Sequence, residues 1–322
     1  MNLEINITKR QIISGVVLAF VAGLVFLGVK SALYFEEQYE KTLFVLEEKN
    51  NLLFEEDDLF GELSLSAEAF FVWDAKTGEK LGGRNEETQL PLASLTKLMT
   101  ILVASELSTP QTVIKIKPDD LNTSGDNGLV VGEEWKFSDI IDFILLTSSN
   151  DGAQALASVA GAFDLKGQTQ AELFIDLMNQ KAQQLGMSQT FFLNGTGLDI
   201  NETTSGAYGS AKDITLLVEN ILRDYPNLLE VSAYGQAEIN SNTVSHQVGN
   251  TNSEVEFLPN VIASKTGFTD LAGGNLIVVF DAGINHPVIV SVLGSTKEER
   301  FRDVEKLIWA GLEKIFSKNQ AL

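Results

Sequence analysis

Apolar and polar positions divide the chain into three stretches of different texture. Residues 12–29 are 18 consecutive uncharged, mostly apolar positions, long enough to cross a bilayer. Lys9 and Arg10 precede them, so the positive-inside rule keeps the amino terminus in the cytoplasm and exports the rest. The run predicts a membrane anchor over residues 1–30, with the main domain extracytoplasmic. Cleavage of a signal peptide at Val29-Lys30-Ser31 is the alternative. Residues 31–65 are crowded with acidic side chains, and Lys41 and Lys49 are the only bases among them. Leu33, Leu43, Leu46, Leu52 and Leu53 are spaced loosely enough for helix. This predicts an extended, partly helical stalk, or else a partner-binding helix.

A globular domain is predicted over residues 66–318. Residues 67–73 read as a buried strand, 74–78 as a turn and 79–81 as a second strand, together a hairpin. A helix follows the loop at residue 91 and runs to about residue 106. From 107 to about 255 the pattern predicts mostly helices and loops. Residues 137–146 carry spaced apolar positions and end in Thr147-Ser148-Ser149-Asn150, and 151–159 is Ala-rich. Residues 171–185 are amphipathic and closed by Gly186, a helix stop. Residues 191–199 are dense in turn formers, and 213–222 is another helix. Strand patterns return at 261–265, 274–280 and 288–293, and a helix over 298–316 closes the domain. Strands at both ends with helices between predict one sheet assembled from both ends and backed by a helical insert.

Composition narrows the function. The 322 residues carry a formal net charge of -21, which argues against a nucleic-acid surface and against adhesion to anionic lipid. Hydrophobic content is 44%, that of a globular protein, and there is no cysteine, hence no disulfide or thiolate chemistry. His246 and His286, the two histidines, both read as loop residues and are too few for common metal-site patterns. No cofactor or metal is predicted. A Ser-His-Asp triad recruiting either histidine is a minor alternative.

The candidate chemistry lies in Pro91-Leu92-Ala93-Ser94-Leu95-Thr96-Lys97. On a helix, positions three apart share a face, so Ser94 and Lys97 sit side by side. A serine hydroxyl needs a base to take its proton, and lysine can serve once its pKa falls. Enclosure, a second cation and the positive end of a helix all push it down. Ser94 is the candidate nucleophile and Lys97 its base. Chance supplies a Ser-x-x-Lys roughly once in a chain of this size, so the motif needs partners. Ser148-Ser149-Asn150, at a break between helices, and Lys265-Thr266-Gly267, at the end of a predicted strand, offer a second hydroxyl, a carboxamide, a second ammonium and a strand edge. Cleavage of a peptide-like bond uses such groups. Lys76-Thr77-Gly78 and Ser317-Lys318-Asn319 repeat two of the motifs, but the first lies in a hairpin turn and the second at the terminus.

Ser-x-x-Lys, Ser-x-Asn and Lys-Thr-Gly in this order resemble the signature of penicillin-binding proteins and serine β-lactamases. The flanks Ala75-Lys76-Thr77-Gly78, Leu98-Met99-Thr100, Leu185-Gly186-Met187, Gly197-Leu198-Asp199 and Phe268-Thr269-Asp270 are similar to the D-alanyl-D-alanine carboxypeptidase family, over roughly residues 66–316. The resemblance implies an α/β (α+β), β-lactamase/transpeptidase-like fold with an antiparallel five-stranded sheet and a helical subdomain. It implies that Ser94 is acylated by the penultimate D-alanine of a peptidoglycan stem peptide, with Lys97 as base and β-lactams as covalent inhibitors. Ser148 would relay the proton to the leaving amine, Asn150 bind the substrate amide and Lys265 supply positive potential. The N–H groups of Ser94 and Phe268 would form the oxyanion hole beside Gly267. Thr266, Thr269 and, by spacing in the final helix, Arg300 would grip the terminal carboxylate, though Arg300 also reads as a surface arginine. Ser149 occupies a position often held by Gly or Asp in the family. No glutamate-bearing loop for deacylation is evident, so slow β-lactam hydrolysis is expected. Endopeptidase cleavage of cross-links, β-lactamase activity and a non-catalytic wall-binding role are the alternatives.

Overall fold

The computed structural model describes residues 59–109, 111–125, 128–162 and 168–320. The anchor expected at 12–29 and the stalk up to residue 58 lie outside them. Among the described residues no helix is long and apolar enough to cross a membrane.

Among the described residues, twelve strands and six α-helices follow in chain order. Strands β1 (Ala69–Asp74) and β2 (Glu79–Arg84) form the predicted hairpin. After β3 (Leu90–Pro91) and a 3₁₀ turn (Ala93–Leu95) comes α1 (Thr96–Leu107). Next are β4 (Val113–Lys115), β5 (Glu134–Lys136), α2 (Phe137–Thr147), α3 (Asn150–Leu156) and α4 (Gln170–Gln184). Then follow β6 (Phe191–Phe192), β7 (Ala207–Gly209), α5 (Ala211–Asp224), β8 (Gln236–Asn240) and β9 (Ser245–Gly249). The chain closes with β10 (Val261–Thr269), β11 (Gly273–Asp281), β12 (Pro287–Ser295) and α6 (Glu299–Gln320).

The main sheet has the order β10-β11-β12-β1-β2, antiparallel throughout, so the two ends of the domain meet at the β12–β1 pairing. Val72 lies opposite Val290 and Phe71 opposite Ser291. Because successive side chains alternate faces, Val72 points to α6, whose Gly311 lies against it. Phe71 and Ser291 point to the helical insert, where Ser291 and Thr215 of α5 share a 2.6 Å hydroxyl contact. Both faces are covered, which is why these strands read as continuous apolar runs rather than alternating ones.

Helix α1 lies at the centre of the insert. Every residue from Thr96 to Ala104 is buried, and a helix enclosed on all sides is a core element rather than an amphipathic one. That position decides the electrostatics of Lys97 below.

Two expectations need correction. The stretch 107–255 is not simply helices and loops, since β4–β5, β8–β9 and β6–β7 with β3 form three small sheets. These strands have two to five residues, too short to show a period, and pairing with distant partners holds them. His246 is accordingly a strand residue in β9, not a loop residue. Its ring packs between Trp135 and Phe143, with Nε2 2.9 Å from Glu133 Oε1. His286 does lie in a turn, 2.8 Å from Asp74 Oδ2. Each histidine faces a carboxylate that fastens a strand connection, and neither hydrogen-bonds Ser94 among the described contacts.

Phe60, ahead of the expected start of the domain, packs onto the sheet. It lies 6.3 Å from the Phe70 ring and directly over Gly82, where an added Cβ would come within 2.4 Å of it. Phe60→Ala should therefore lower the unfolding free energy by about 3 kcal/mol, measurable as a shift in urea midpoint.

Candidate active site

The turn that carries Ser94 is fastened from three sides. Leu92 N–H donates to Ala207 O (3.0 Å), and Asn275 Nδ2 donates to Pro91 O (2.9 Å). Asn275 is fully buried and also accepts from Gly294 N–H at 2.9 Å, so it ties the turn to the middle of the main sheet. Ala93 has φ +47°, a left-handed conformation that costs energy for a residue with a Cβ. Glycines allow the close approach of neighbouring segments. A Cβ on Gly197 would fall 1.8 Å from Ala93 O, and one on Gly267 would fall 3.0 Å from Leu92 O and 3.3 Å from Ser94 N. Strand β10 and the 194–199 loop thus close on the turn like two jaws.

Lys97, fully buried, extends one helical turn beyond Ser94. Its Nζ lies 2.8 Å from Ser94 Oγ, 2.7 Å from Asn150 Oδ1 and 2.8 Å from Thr196 O. Burial, and then the charge of Lys265, push its pKa well below the ordinary lysine value. A neutral lysine amine has two hydrogens and one lone pair. Thr196 O can only accept. So can Asn150 Oδ1, because Asn150 Nδ2 donates to Ser124 O at 2.7 Å and fixes the amide orientation. The two N–H groups are therefore spoken for, and the lone pair falls to the hydroxyl of Ser94.

The Ser148-Ser149-Asn150 motif sits where one helix ends and another begins, and its three side chains part company there. Ser148 is the C-cap of α2 with φ +57°. Ser149 caps α3, accepting from Gly152 N–H at 3.0 Å, and is fully buried. Ser149 is thus a capping residue turned inward, which gives the unusual middle position a structural reason. Asn150 turns to Lys97, and Ser148 Oγ accepts from Lys265 Nζ at 2.8 Å.

Lys265-Thr266-Gly267 is not at the end of its strand as expected. It lies in the middle of β10, which continues to Thr269. Lys265 is 2% exposed, and burial followed by the Arg300 charge pushes its pKa down to about 7. Arg300, in the first turn of α6, is 6% exposed and so is not a surface arginine. Its Nη1 donates to Gly267 O at 2.6 Å, burial lowers its pKa to about 10, and its Nε has no partner among the described groups. Arg300, Lys265 and Lys97 form a line of three enclosed basic groups, in which the Arg300 charge lowers the pKa of Lys265 and the Lys265 charge lowers that of Lys97.

Thr266 Oγ1 donates to Thr251 Oγ1 (2.7 Å), and Thr269 Oγ1 donates to Asp199 Oδ1 (3.0 Å). Leu271 N–H reaches the other oxygen of Asp199 at 3.2 Å, which ties the 194–199 loop to β10. Phe268 is 43% exposed, with Lys297 Nζ 5.2 Å from its ring centroid. The structure thus brings Ser94, Lys97, Ser148, Asn150 and Lys265 together as two hydrogen-bonded groups, Ser94–Lys97–Asn150 and Ser148–Lys265, coupled by the effect of the Lys265 charge on Lys97. Gly267 lies beside Ser94, and Arg300 is bonded to Gly267. Thr266 and Thr269 are on the same strand with their hydroxyls already engaged. Thr196, Ser124, Thr251 and Asn275 complete the site without having been singled out, as does Asp199, met in the sequence only within a family-like flank. The first two act through backbone carbonyls, which leave no mark in a sequence. Among the described residues no group of three or more His, Asp or Glu is placed to hold a metal ion.

The sequence model of the D-alanyl-D-alanine carboxypeptidase family matches residues 56–297. The chain belongs to that family. It is 30% identical over 257 residues to D-alanyl-D-alanine carboxypeptidase DacF of Bacillus subtilis, covering 77% of this chain and 62% of that one. It is 31% identical over 223 residues to a D-alanyl-D-alanine endopeptidase of Pseudomonas aeruginosa, covering 66% and 67%. Penicillin-binding protein D2 of Listeria monocytogenes, solved with ampicillin bound, superposes with a TM-score of 0.66 at 29% identity, covering 78% of this chain and 98% of that one. The chain thus spans 62% of the length of DacF, and its five-stranded antiparallel sheet with a helical insert is the fold of the penicillin-binding proteins.

One glycine tests how tightly this carboxypeptidase-family site is closed. Gly197 has φ +78° and no room for a Cβ. Gly197→Ala should destabilise the fold by about 1–3 kcal/mol, read by urea unfolding, and pull Thr196 O away from Lys97.

Proposed function

We propose that this protein is a serine D-Ala-D-Ala carboxypeptidase acting on peptidoglycan stem peptides through an acyl-enzyme on Ser94. The observation that carries the proposal is the coordination of Lys97, whose lone pair has only the Ser94 hydroxyl to meet. In this reading Ser94 Oγ attacks the penultimate D-alanine carbonyl while Lys97 takes the hydroxyl proton. The N–H groups of Ser94 and Phe268 hold the developing oxyanion. Ser148, bonded to Lys265, passes a proton to the departing amine. Terminal D-alanine leaves, and water then hydrolyses the ester.

Asn150 is engaged at both ends, by Lys97 and Ser124, which supports a positioning role alongside contact with the substrate amide. The line of basic groups favours an anionic group at the far end. Arg300, with an unused Nε, is the group left to meet the terminal carboxylate, and Thr266 and Thr269 would join it by turning from Thr251 and Asp199. The 18-residue apolar run at 12–29, with Lys9 and Arg10 before it, supports a single-pass anchor. A stalk to residue 65 would then hold a catalytic domain over 66–318 outside the cytoplasm.

Intact mass after incubation with a penicillin tests the nucleophile. A one-to-one adduct that maps to Ser94 and is absent from Ser94→Ala is expected. Unmodified protein with intact drug would refute the assignment, and unmodified protein with hydrolysed drug would make it a β-lactamase. The rate of adduct formation should also depend on pH in a defined direction. It rises as Lys97 loses its proton, below the ordinary lysine range, and falls as Lys265, at about 7, loses its charge. The two apparent midpoints belong to the pair. Lys265→Arg keeps that charge and should remove the alkaline fall while leaving the acid limb.

A further inference from the structure

The orientation of the Asn150 amide decides where the Lys97 lone pair goes, so whatever fixes that orientation acts on the base. With Nδ2 on Ser124 O, Oδ1 is left to accept from Lys97. An amide turned over would set Oδ1 against the Ser124 carbonyl, acceptor against acceptor, and offer Lys97 an N–H in place of an oxygen. Ser124 O therefore selects the working orientation. Yet Ser124 is exposed, in the loop that follows the 3₁₀ turn at Pro118–Leu121, where water competes for its carbonyl. Its position needs an anchor.

The residue before it supplies one. Thr123 Oγ1 donates to a carboxylate oxygen of Asp151. Asp151 follows Asn150 in the first turn of α3 and is 4% exposed. It has little freedom to drift, because α3 is pressed against α2. A Cβ on Gly152, the next residue, would come within 2.7 Å of the Ile144 side chain. An enclosed carboxylate needs a donor, and among the described residues the Thr123 hydroxyl is the one it has. Two adjacent loop residues, Thr123 and Ser124, are thus bonded to two adjacent residues of α3, Asp151 and Asn150. The first bond anchors the loop, and the second orients the amide.

Resting on the acyl-enzyme reading above, we infer that Thr123 and Asp151 are positioning residues for the general base. Their hydrogen bond holds Ser124 O on Asn150, and Asn150 in turn presents Oδ1 to Lys97. Both act through Asn150. Without the Thr123 hydroxyl, Ser124 O is released and the amide populates both orientations. Lys97 then faces Ser94 Oγ, Thr196 O, the Lys265 charge and an Asn150 amide of either sense. In the turned-over state an Asn150 N–H takes the lone pair of neutral Lys97 away from the Ser94 hydroxyl, which lowers the maximal rate. Protonated Lys97 also loses an acceptor there. Its charged form is disfavoured further, so the acid limb of the pH profile moves to lower pH.

The rate of penicillin adduct formation on Ser94 is measured by intact mass across pH for the full chain, with melting temperatures alongside. Wild type is compared with Thr123→Val and Thr123→Ala, which lack the hydroxyl, and with Thr123→Ser, which keeps it. Thr123 is only half-buried, in a loop, so all three should melt as wild type does. Thr123→Val and Thr123→Ala should lose about tenfold or more in maximal rate, within what general-base catalysis commands, and their acid midpoint should fall. Thr123→Ser should keep the wild-type rate and midpoint. A wild-type profile in the two variants without the hydroxyl would overturn the inference, as would a Thr123→Ser protein that behaves like Thr123→Val. So would a lower rate at an unmoved midpoint, the mark of a merely structural contact. Wild-type protein that forms no adduct would remove the underlying acyl-enzyme reading itself.

Discussion

A lysine cannot be held dry beside a second cation without favouring its neutral form. The rest of this site depends on that constraint. Helix α1 is enclosed on every side, so Lys97 loses its hydration, and Lys265 approaches it across the cleft with a charge of the same sign. Both lysines in turn need acceptors, because an unpaired buried amine is costly. Lys97 finds Asn150 Oδ1 and Thr196 O, and Lys265 finds Ser148 Oγ and Thr266 O. Asn150 and Ser148 belong to the α2–α3 junction and Thr196 to the 194–199 loop, so satisfying two buried amines draws these segments onto α1 and β10. Thr266 O is local to Lys265.

The fold supplies the rigidity this arrangement needs. The nucleophile turn holds a left-handed Ala93 and is clamped by Asn275 from the centre of the sheet. Ser148 is left-handed as well, at the junction where α2 stops and Ser149 starts α3. Backbone strain at Ala93, next to Ser94, and at Ser148 persists because the packing around both over-determines it. Buried carboxylate–histidine contacts, Glu133 with His246 and Asp74 with His286, fasten hairpins and turns rather than taking part in the chemistry.

Burial also separates residues of the same type into different tasks. Lys265 and Arg300 are enclosed, and burial lowers the pKa of both, while Lys297 stands outside against the Phe268 ring. Lys76-Thr77-Gly78 repeats the letters of the strand motif, yet its N–H groups serve the turn by bonding Asp74 Oδ1. The same tripeptide in β10 lies along the cleft because pairing with β11 sets which way each residue faces.

By itself the sequence determined the parts whose signal is local. The i, i+3 spacing of Ser94 and Lys97, the helix break at Ser148-Ser149-Asn150, the long apolar strands at both ends and the order of the three motifs can all be read within a few residues. Tertiary structure decided what depends on distant partners. Thr196 and Ser124 contribute carbonyls, which every residue has and no motif records. Asn275 matters because it reaches Pro91, 184 positions away. The short strands β4 to β9 exist through pairing rather than period, which moved His246 from loop to strand. Arg300 became a buried cation only when α6 docked on the sheet. Local periodicity encodes which face a residue takes, but desolvation is set by everything that packs around that face, and only the folded chain specifies it.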